Sequence, residues 1–393
     1  MPPPTPADTA VDPSPAGPRR ALLDATPGPL HPAAREALLS ALDNGWADPR
    51  RLHSEGRRAA HLLDQAREVL ADAVGARPAE VSLHPSGSHA LQGAITGLRS
   101  ARRRVGDALV TTAVEQALVL RSPDTEPVGV DRHGRVEVTA WAEAIGAPGV
   151  AMGIVAPANP EIGTRQPVEE LAAASRAAGV PLLVDATSTV GRLPLPRTEA
   201  YAVCVADAAA FGGPPLGLLA VGAGTRWRPP GPVSAPERGR EVAPPSVPLA
   251  LAAAEAWRQH RHAATDDARV AHGLIAAIRA AAADVPDVEV VGDPDARLPH
   301  VVTFSCLYVD GEALVGELDR RGFAVASGSA CTADTLQPSH VLAAIGALTH
   351  GNVRVTLPLA AVAPTRERDV ARFCAELPQA VAAVRAHLGT LDL

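Results

Sequence analysis

Residues 149–184 place the tightest constraint on the fold. Gly149 to Ala156 is an apolar strand. Pro167 to Ala178 follows as a helix with proline at its start and Gly179 after its end, and Val180 to Val184 is a second strand. Two strands joined through a helix make a β-α-β unit, which commits the chain to a parallel sheet. Asp185 then stands at the carboxyl end of the second strand, where open α/β sheets place ligands. A carboxylate there either keeps a pyridine-type nitrogen protonated or caps a turn.

At 393 residues the chain has room for two lobes. Its 47% hydrophobic and 20% charged content is that of a globular protein. A net charge of −7 gives nucleic-acid binding no electrostatic support. No apolar run is long enough to span a bilayer, and Met1-Pro2-Pro3-Pro4 lacks the pattern of a signal peptide. A cytoplasmic protein with neither membrane nor nucleic-acid partner is expected. Cys204, Cys306, Cys331 and Cys374 form no CxxC pair, so neither a disulfide framework nor a metal site is expected. All 36 Lys+Arg residues are arginine, so no side-chain amine of lysine exists anywhere in the chain.

Residues 1–20 are rich in Pro, Ala and Thr and are expected to be a disordered tail. Helical spacing follows over 33–42 and 62–74, a strand over 81–83, and a helix from about 85 through 98. Gly87 and Ser88 fall where that helix opens. There, free N–H groups and a hydroxyl suit a phosphate, with an N-cap role for Ser88 as the alternative. Strands are expected at 109–112, 203–206, 288–291 and 301–305, and helices at 249–283 and 312–320. Residues 226–248 form a Pro- and Arg-rich excursion between lobes. His260 and His262 lie on different helical faces, suit no metal and are expected in solvent. Two helices, 365–376 and 378–388, are expected to close the chain.

Several stretches carry a resemblance. Ala326-Ser327-Gly328-Ser329-Ala330-Cys331-Thr332-Ala333-Asp334, with its downstream helix near Ser339, closely resembles the cysteine loop of cysteine desulfurases. These are class V aminotransferases that use pyridoxal phosphate (PLP). Leu52-His53-Ser54-Glu55-Gly56-Arg57 is similar to the family's IHxxGR. Asn159-Pro160-Glu161-Ile162-Gly163-Thr164 is similar to NNE[IV]GT, and Val184-Asp185-Ala186 with Gly191 to VDAxxxxG.

The resemblance implies an α/β fold, PLP-dependent transferase fold type I. A large domain with a mostly parallel sheet would span 21–255, and a smaller α+β C-terminal domain carrying the Cys331 loop would span 256–393. It implies Gly87 and Ser88 at the PLP phosphate and Gln116 against the ring, where the family has histidine. Asp185 would meet the pyridine nitrogen, and Asn159 and Ser188 would lie beside the cofactor, Ser188 where the family has glutamine. Arg354, in Asn352-Val353-Arg354-Val355-Thr356, would clamp the substrate carboxylate. Cys331 would carry the persulfide. A homodimer, or a heterodimer with a related desulfurase, is implied, together with a small sulfur-acceptor protein.

One position departs most. Anchoring on Phe211-Gly212-Gly213-Pro214 puts Ala210 where the family forms its imine through lysine, Ala209 at a histidine and Asp207 at a serine. Arginine stays protonated and cannot act as that amine. The expectation is a protein of sulfur mobilisation with an eroded PLP site, in which PLP binds at most weakly and non-covalently and Cys331 remains as persulfide acceptor or relay. The alternatives are a pseudoenzyme partner of an active desulfurase, and an active desulfurase with non-covalent PLP.

Overall fold

The structure, a computed structural model, describes residues 20–196, 200–229, 236–327 and 338–387. The expected disordered tail therefore lies almost wholly outside the described residues, and so does Cys331. Strand β1 (Ala21–Leu22) leads into helices α1 (Pro32–Asn44) and α2 (Ser54–Ala73). Each helix starts on a histidine cap: Nδ1 of His31 accepts the Ala33 N–H, and Nδ1 of His53 the Gly56 N–H, both at 3.2 Å.

Next come β2 (Val81–His84), α3 (Gly87–Arg102), β3 (Ala108–Thr112), the short α4 (Ala117–Leu120) and β4 (Thr125–Val128). Helix α5 (Val138–Ile145) precedes β5 (Val150–Val155), and α6 (Val168–Ala177) precedes β6 (Leu182–Ala186). Strands β7 (Val203–Asp207) and β8 (Gly217–Val221) complete a seven-stranded sheet of order β2-β8-β7-β6-β5-β3-β4. From β4 to β7 all neighbours are parallel, and β8 runs antiparallel to both β7 and β2.

Every residue of β5 and β6 is buried, as a parallel sheet covered on both faces requires. Successive side chains serve opposite faces. Leu183 packs with Leu91, Leu98 and Met152 on the α3 side, while Val184 packs with Val110, Val155 and Trp141 on the other.

Helix α7 (Val247–Ala283) joins the lobes. Its first part buries Val247, Ala250 and Ala253 in the large core; its last part buries Ala271, Ile275 and Ile278 in a second core. At about 1.5 Å per residue it is long enough to be the floor of both lobes. The expected boundary at 255/256 thus falls inside one continuous helix. His260, expected in solvent, is instead buried on α7. Its ring packs near Trp257, and its Nε2 lies 2.6 Å from the Gly191 carbonyl, which supplies the polar partner that burial demands. His262 is exposed.

The second lobe comprises β9 (Val288–Val290), β10 (Val301–Cys306), α8 (Gly311–Arg320), β11 (Phe323–Ala324), α9 (His340–Ala344), β12 (Asn352–Thr356) and α10 (Arg366–His387). Strands β12-β10-β9 form an antiparallel sheet, and β1 pairs in parallel with β11. Residues 21–23 therefore belong to the second lobe, where Leu23 packs with Phe323 and Phe373. In place of the two closing helices expected, α10 runs unbroken through Pro378. Proline removes one N–H from the ladder, but Phe373, Leu377, Val381 and Val384 bury one continuous stripe on both sides of it. That burial outweighs the lost bond. Beside β2, the excursion after residue 235 is pinned rather than loose. The Glu237 carboxylate accepts from Arg67 at 2.6 and 2.7 Å and from the Leu83 N–H at 2.6 Å.

Candidate active site

A cavity of about 470 Å³ opens where the carboxyl ends of β6 and β7 meet the second lobe. Ser88, Gln116, Asp185, Ser188, Ala210 and Arg354 all line it. The residues picked out from the sequence are therefore brought together, with three qualifications. Gly87 stands at its edge, bonded to the cavity-lining Asp207. Asn159 turns away: its amide donates to the Val114 carbonyl at 2.6 Å, and its oxygen accepts the Glu161 and Ile162 N–H groups. It shapes the 159–164 turn and does not line the cavity. Cys331 lies outside the described residues.

Strands β2 and β7 end side by side across β8, which brings the start of α3 against Asp207. The Gly87 N–H donates to Asp207 Oδ2 at 2.6 Å, and the Ala209 N–H to Oδ1 at 3.0 Å. Glycine is required at 87 because a Cβ there would sit 2.8 Å from Asp207 Cβ and Oδ2. An anion at a helix N-terminus is well placed electrostatically, and here the chain supplies its own. The N-cap of α3 is Ser86, whose Oγ accepts the His89 N–H at 3.2 Å, so Ser88 is left facing the cavity.

The strand-end carboxylate is likewise engaged. Asp185 Oδ1 accepts the Thr187 N–H at 3.1 Å and hydroxyl at 2.6 Å, and Oδ2 accepts the Gln116 amide. Burial raises the Asp185 pKa, against these donors. Gln116, expected to lie against a ring, spends its amide on Asp185.

Two further residues escaped the sequence reading. Glu115, fully buried beside Asp185, accepts the Ala156 N–H at 2.9 Å and the Thr112 hydroxyl at 3.1 Å through Oε1. Its Oε2 has no partner among the described residues. Burial pushes this carboxyl up to about 8, so it holds a proton at neutral pH. Arg192 donates from Nε to the Ala210 carbonyl at 2.9 Å, and burial brings it down to about 10. At that value it is still a cation at neutral pH. Neither residue carried a local signal of its burial, because a glutamate or an arginine in a loop beyond a strand reads as an ordinary surface charge.

Both flanks of segment 328–337 are fixed at this wall. Ala326 exchanges two backbone bonds with Arg354, at 2.7 and 3.1 Å. On the other side, the Ser339 hydroxyl donates to Glu161 at 2.5 Å, and His340 Nε2 lies 2.8 Å from the Glu115 carbonyl. The three described cysteines are unsuited to thiolate chemistry. Cys204 and Cys306 are buried and pushed up to about 12, and half-buried Cys374 is also raised.

Residues 22–213 and 243–367 match the aminotransferase class-V family. The chain belongs to that family. It is 34% identical over 378 residues to an IscS-like cysteine desulfurase of Mycobacterium tuberculosis, covering 91% of this chain and 95% of that protein. A cysteine desulfurase of Azotobacter chroococcum mcd 1 is 31% identical over 364 residues, covering 89% of each chain. A solved NifS-like protein superposes with a TM-score of 0.82 at 20% identity, covering 93% of this chain and all of that one. The expected fold class is therefore the observed one. No helix among the described residues is long and apolar enough to cross a membrane.

Proposed function

We propose that this class-V aminotransferase family member mobilises sulfur without releasing it from an amino acid itself. Cys331 accepts sulfane sulfur made elsewhere and passes it on. The observation that carries this is the Asp207–Gly87 contact at 2.6 Å, a carboxylate standing where the family's cofactor phosphate is expected. A second anion there would be repelled at close range in a poorly hydrated site. The residues present do not fit PLP. The Gly87 N–H is taken from within by Asp207, Asp185 already accepts three bonds from Thr187 and Gln116, and no lysine exists to form an imine, with Ala210 at that place. The relatives named cysteine desulfurases support a role in sulfur handling.

The transfer needs no redox partner. The Cys331 thiolate attacks the terminal sulfur of a donor persulfide, a new S–S bond forms at Cys331, the donor's S–S bond breaks, and the donor cysteine leaves as thiolate. The proton lost from Cys331 balances the one the donor thiolate takes up. A homodimer or a pairing with a related desulfurase belongs to this reading, as does a small acceptor protein.

Two measurements test it. Protein incubated with PLP and dialysed should retain no visible absorption band and no borohydride-fixed adduct; a stable band would overturn the misfit with PLP. After exposure to a separate active desulfurase and free cysteine, mass spectrometry should find a persulfide on Cys331. Label on Cys306 or Cys374 to the same extent, or none at all, would overturn the relay.

A further inference from the structure

The sequence led us to expect no metal, yet three residues from separate segments converge beside the α3 N-terminus, outside the cavity lining. His84 ends β2, His89 stands in the first turn of α3, and Glu241 follows the pinned turn at 236–239. Glu241 Oε2 lies 2.9 Å from His84 Nδ1 and 2.9 Å from His89 Nε2. One ligand atom from each residue lies within 4.8 Å of the others. We propose that His84, His89 and Glu241 bind a divalent zinc ion.

Two imidazoles and a carboxylate are the donor set of a three-ligand zinc site with a fourth position left for water. Tetrahedral zinc with ligand bonds near 2.0–2.2 Å separates its ligand atoms by roughly 3.3 Å, so the two 2.9 Å contacts need to open by only a few tenths. The surroundings accommodate the assignment. Ser82 Oγ lies 3.0 Å from His84 Nε2 and 3.3 Å from the Leu219 carbonyl. A hydroxyl has one proton to give. With that proton on Leu219, Ser82 accepts the Nε2 proton of His84 and Nδ1 is free to take a metal; with it on Nε2, His84 Nδ1–H donates to Glu241 instead. In the first arrangement Ser82 orients His84 as outer-shell partners orient histidine ligands in metal sites. Glu241 is held as well, its Oε1 accepting the Val242 N–H at 2.7 Å. His89 is half exposed, which provides the entry path, while His84 and Glu241 are buried. Imidazole donors select against magnesium and calcium.

Such an ion would tie the 236–246 segment to the β2–α3 corner, and it is independent of any chemistry at Cys331. The test uses the full chain, stripped with chelator, dialysed and titrated with zinc chloride by calorimetry. One equivalent is expected to bind, with cobalt giving the visible band of a tetrahedral complex and zinc raising the thermal midpoint. His89→Ala, at a half-exposed site, should keep the fold by circular dichroism and weaken zinc at least about tenfold, as should Glu241→Gln. His262→Ala, at an exposed histidine elsewhere, should change nothing. Absence of zinc binding, or equal stoichiometry and affinity in both ligand variants, would overturn the site.

Discussion

The Asp207 carboxylate accepts the Gly87 N–H at 2.6 Å, across 120 residues of chain. The contact closes the opening turn of α3 with a charge that belongs to the protein. Its removal should reopen the position. Asp207→Asn is expected to tighten inorganic phosphate by about tenfold, because the repulsion disappears while the helix N-terminus remains. The same change should lower stability by about 1 kcal/mol through loss of a charged cap. Phosphate calorimetry alongside urea unfolding measures both. Unchanged phosphate affinity would show that Asp207 does not guard the site.

Glu115 gives the cavity a pH dependence of definite sign. Its carboxyl is raised from 4.5 to about 8, chiefly by burial. Between those values the folded chain holds a proton that the unfolded chain has released. Stability is therefore full below the lower value and falls as pH rises toward the upper one, by up to roughly 1.4 kcal/mol per pH unit. Glu115→Gln keeps an oxygen for Ala156 and Thr112 and puts an amide where Oε2 has no partner among the described residues. Urea midpoints measured across this window should slope downward for the native chain and less steeply for the variant, in which the raised Asp185 carboxyl remains. Parallel slopes would place the titration elsewhere.

Much of this was legible in the sequence because it is local. The β-α-β unit announced itself through two continuous apolar runs and a helix bounded by Pro167 and Gly179, and the structure has it at β5, α6 and β6. Asp185, Ser188 and Gln116 reached one cavity because strand ends in a parallel sheet converge, and Arg354 faces them from β12 of the second lobe. What escaped notice depends on partners far apart in sequence. Gln116 and Asp185 are 69 residues apart, and His84 and Glu241 are 157 apart. No periodicity records such meetings. The unbroken α10 was missed for the opposite reason: Pro378 is a strong local stop signal, overridden by packing that only the second core supplies.

Thiol reactivity follows from burial. Cys204 and Cys306, held near 12, should resist iodoacetamide in the folded chain, and Cys374 should react slowly. Peptide mapping after brief alkylation is expected to find the label on Cys331, at least tenfold (~1.4 kcal/mol in barrier) ahead of the others. In denaturant all four should label alike. Equal native labelling of Cys374 would remove the basis for singling out Cys331.

The buried pair Arg67–Glu237 anchors the segment that leads to Glu241. Both side chains are almost fully buried, two bonds of 2.6 and 2.7 Å join them, and Glu237 also holds the Leu83 N–H. Glu237→Ala strands a guanidinium and a strand N–H in a dry site, so a loss of about 3–5 kcal/mol is expected. Replacing both partners, with Arg67→Met and Glu237→Leu, removes the stranded cation and should recover most of that loss. The Leu83 N–H still lacks its acceptor, which leaves a deficit of about 1–3 kcal/mol. Urea unfolding of the two variants decides between a pair whose worth lies in mutual neutralisation and one that adds stability outright. If the double variant is as unstable as the single, the pair contributes well beyond neutralising its own buried charges.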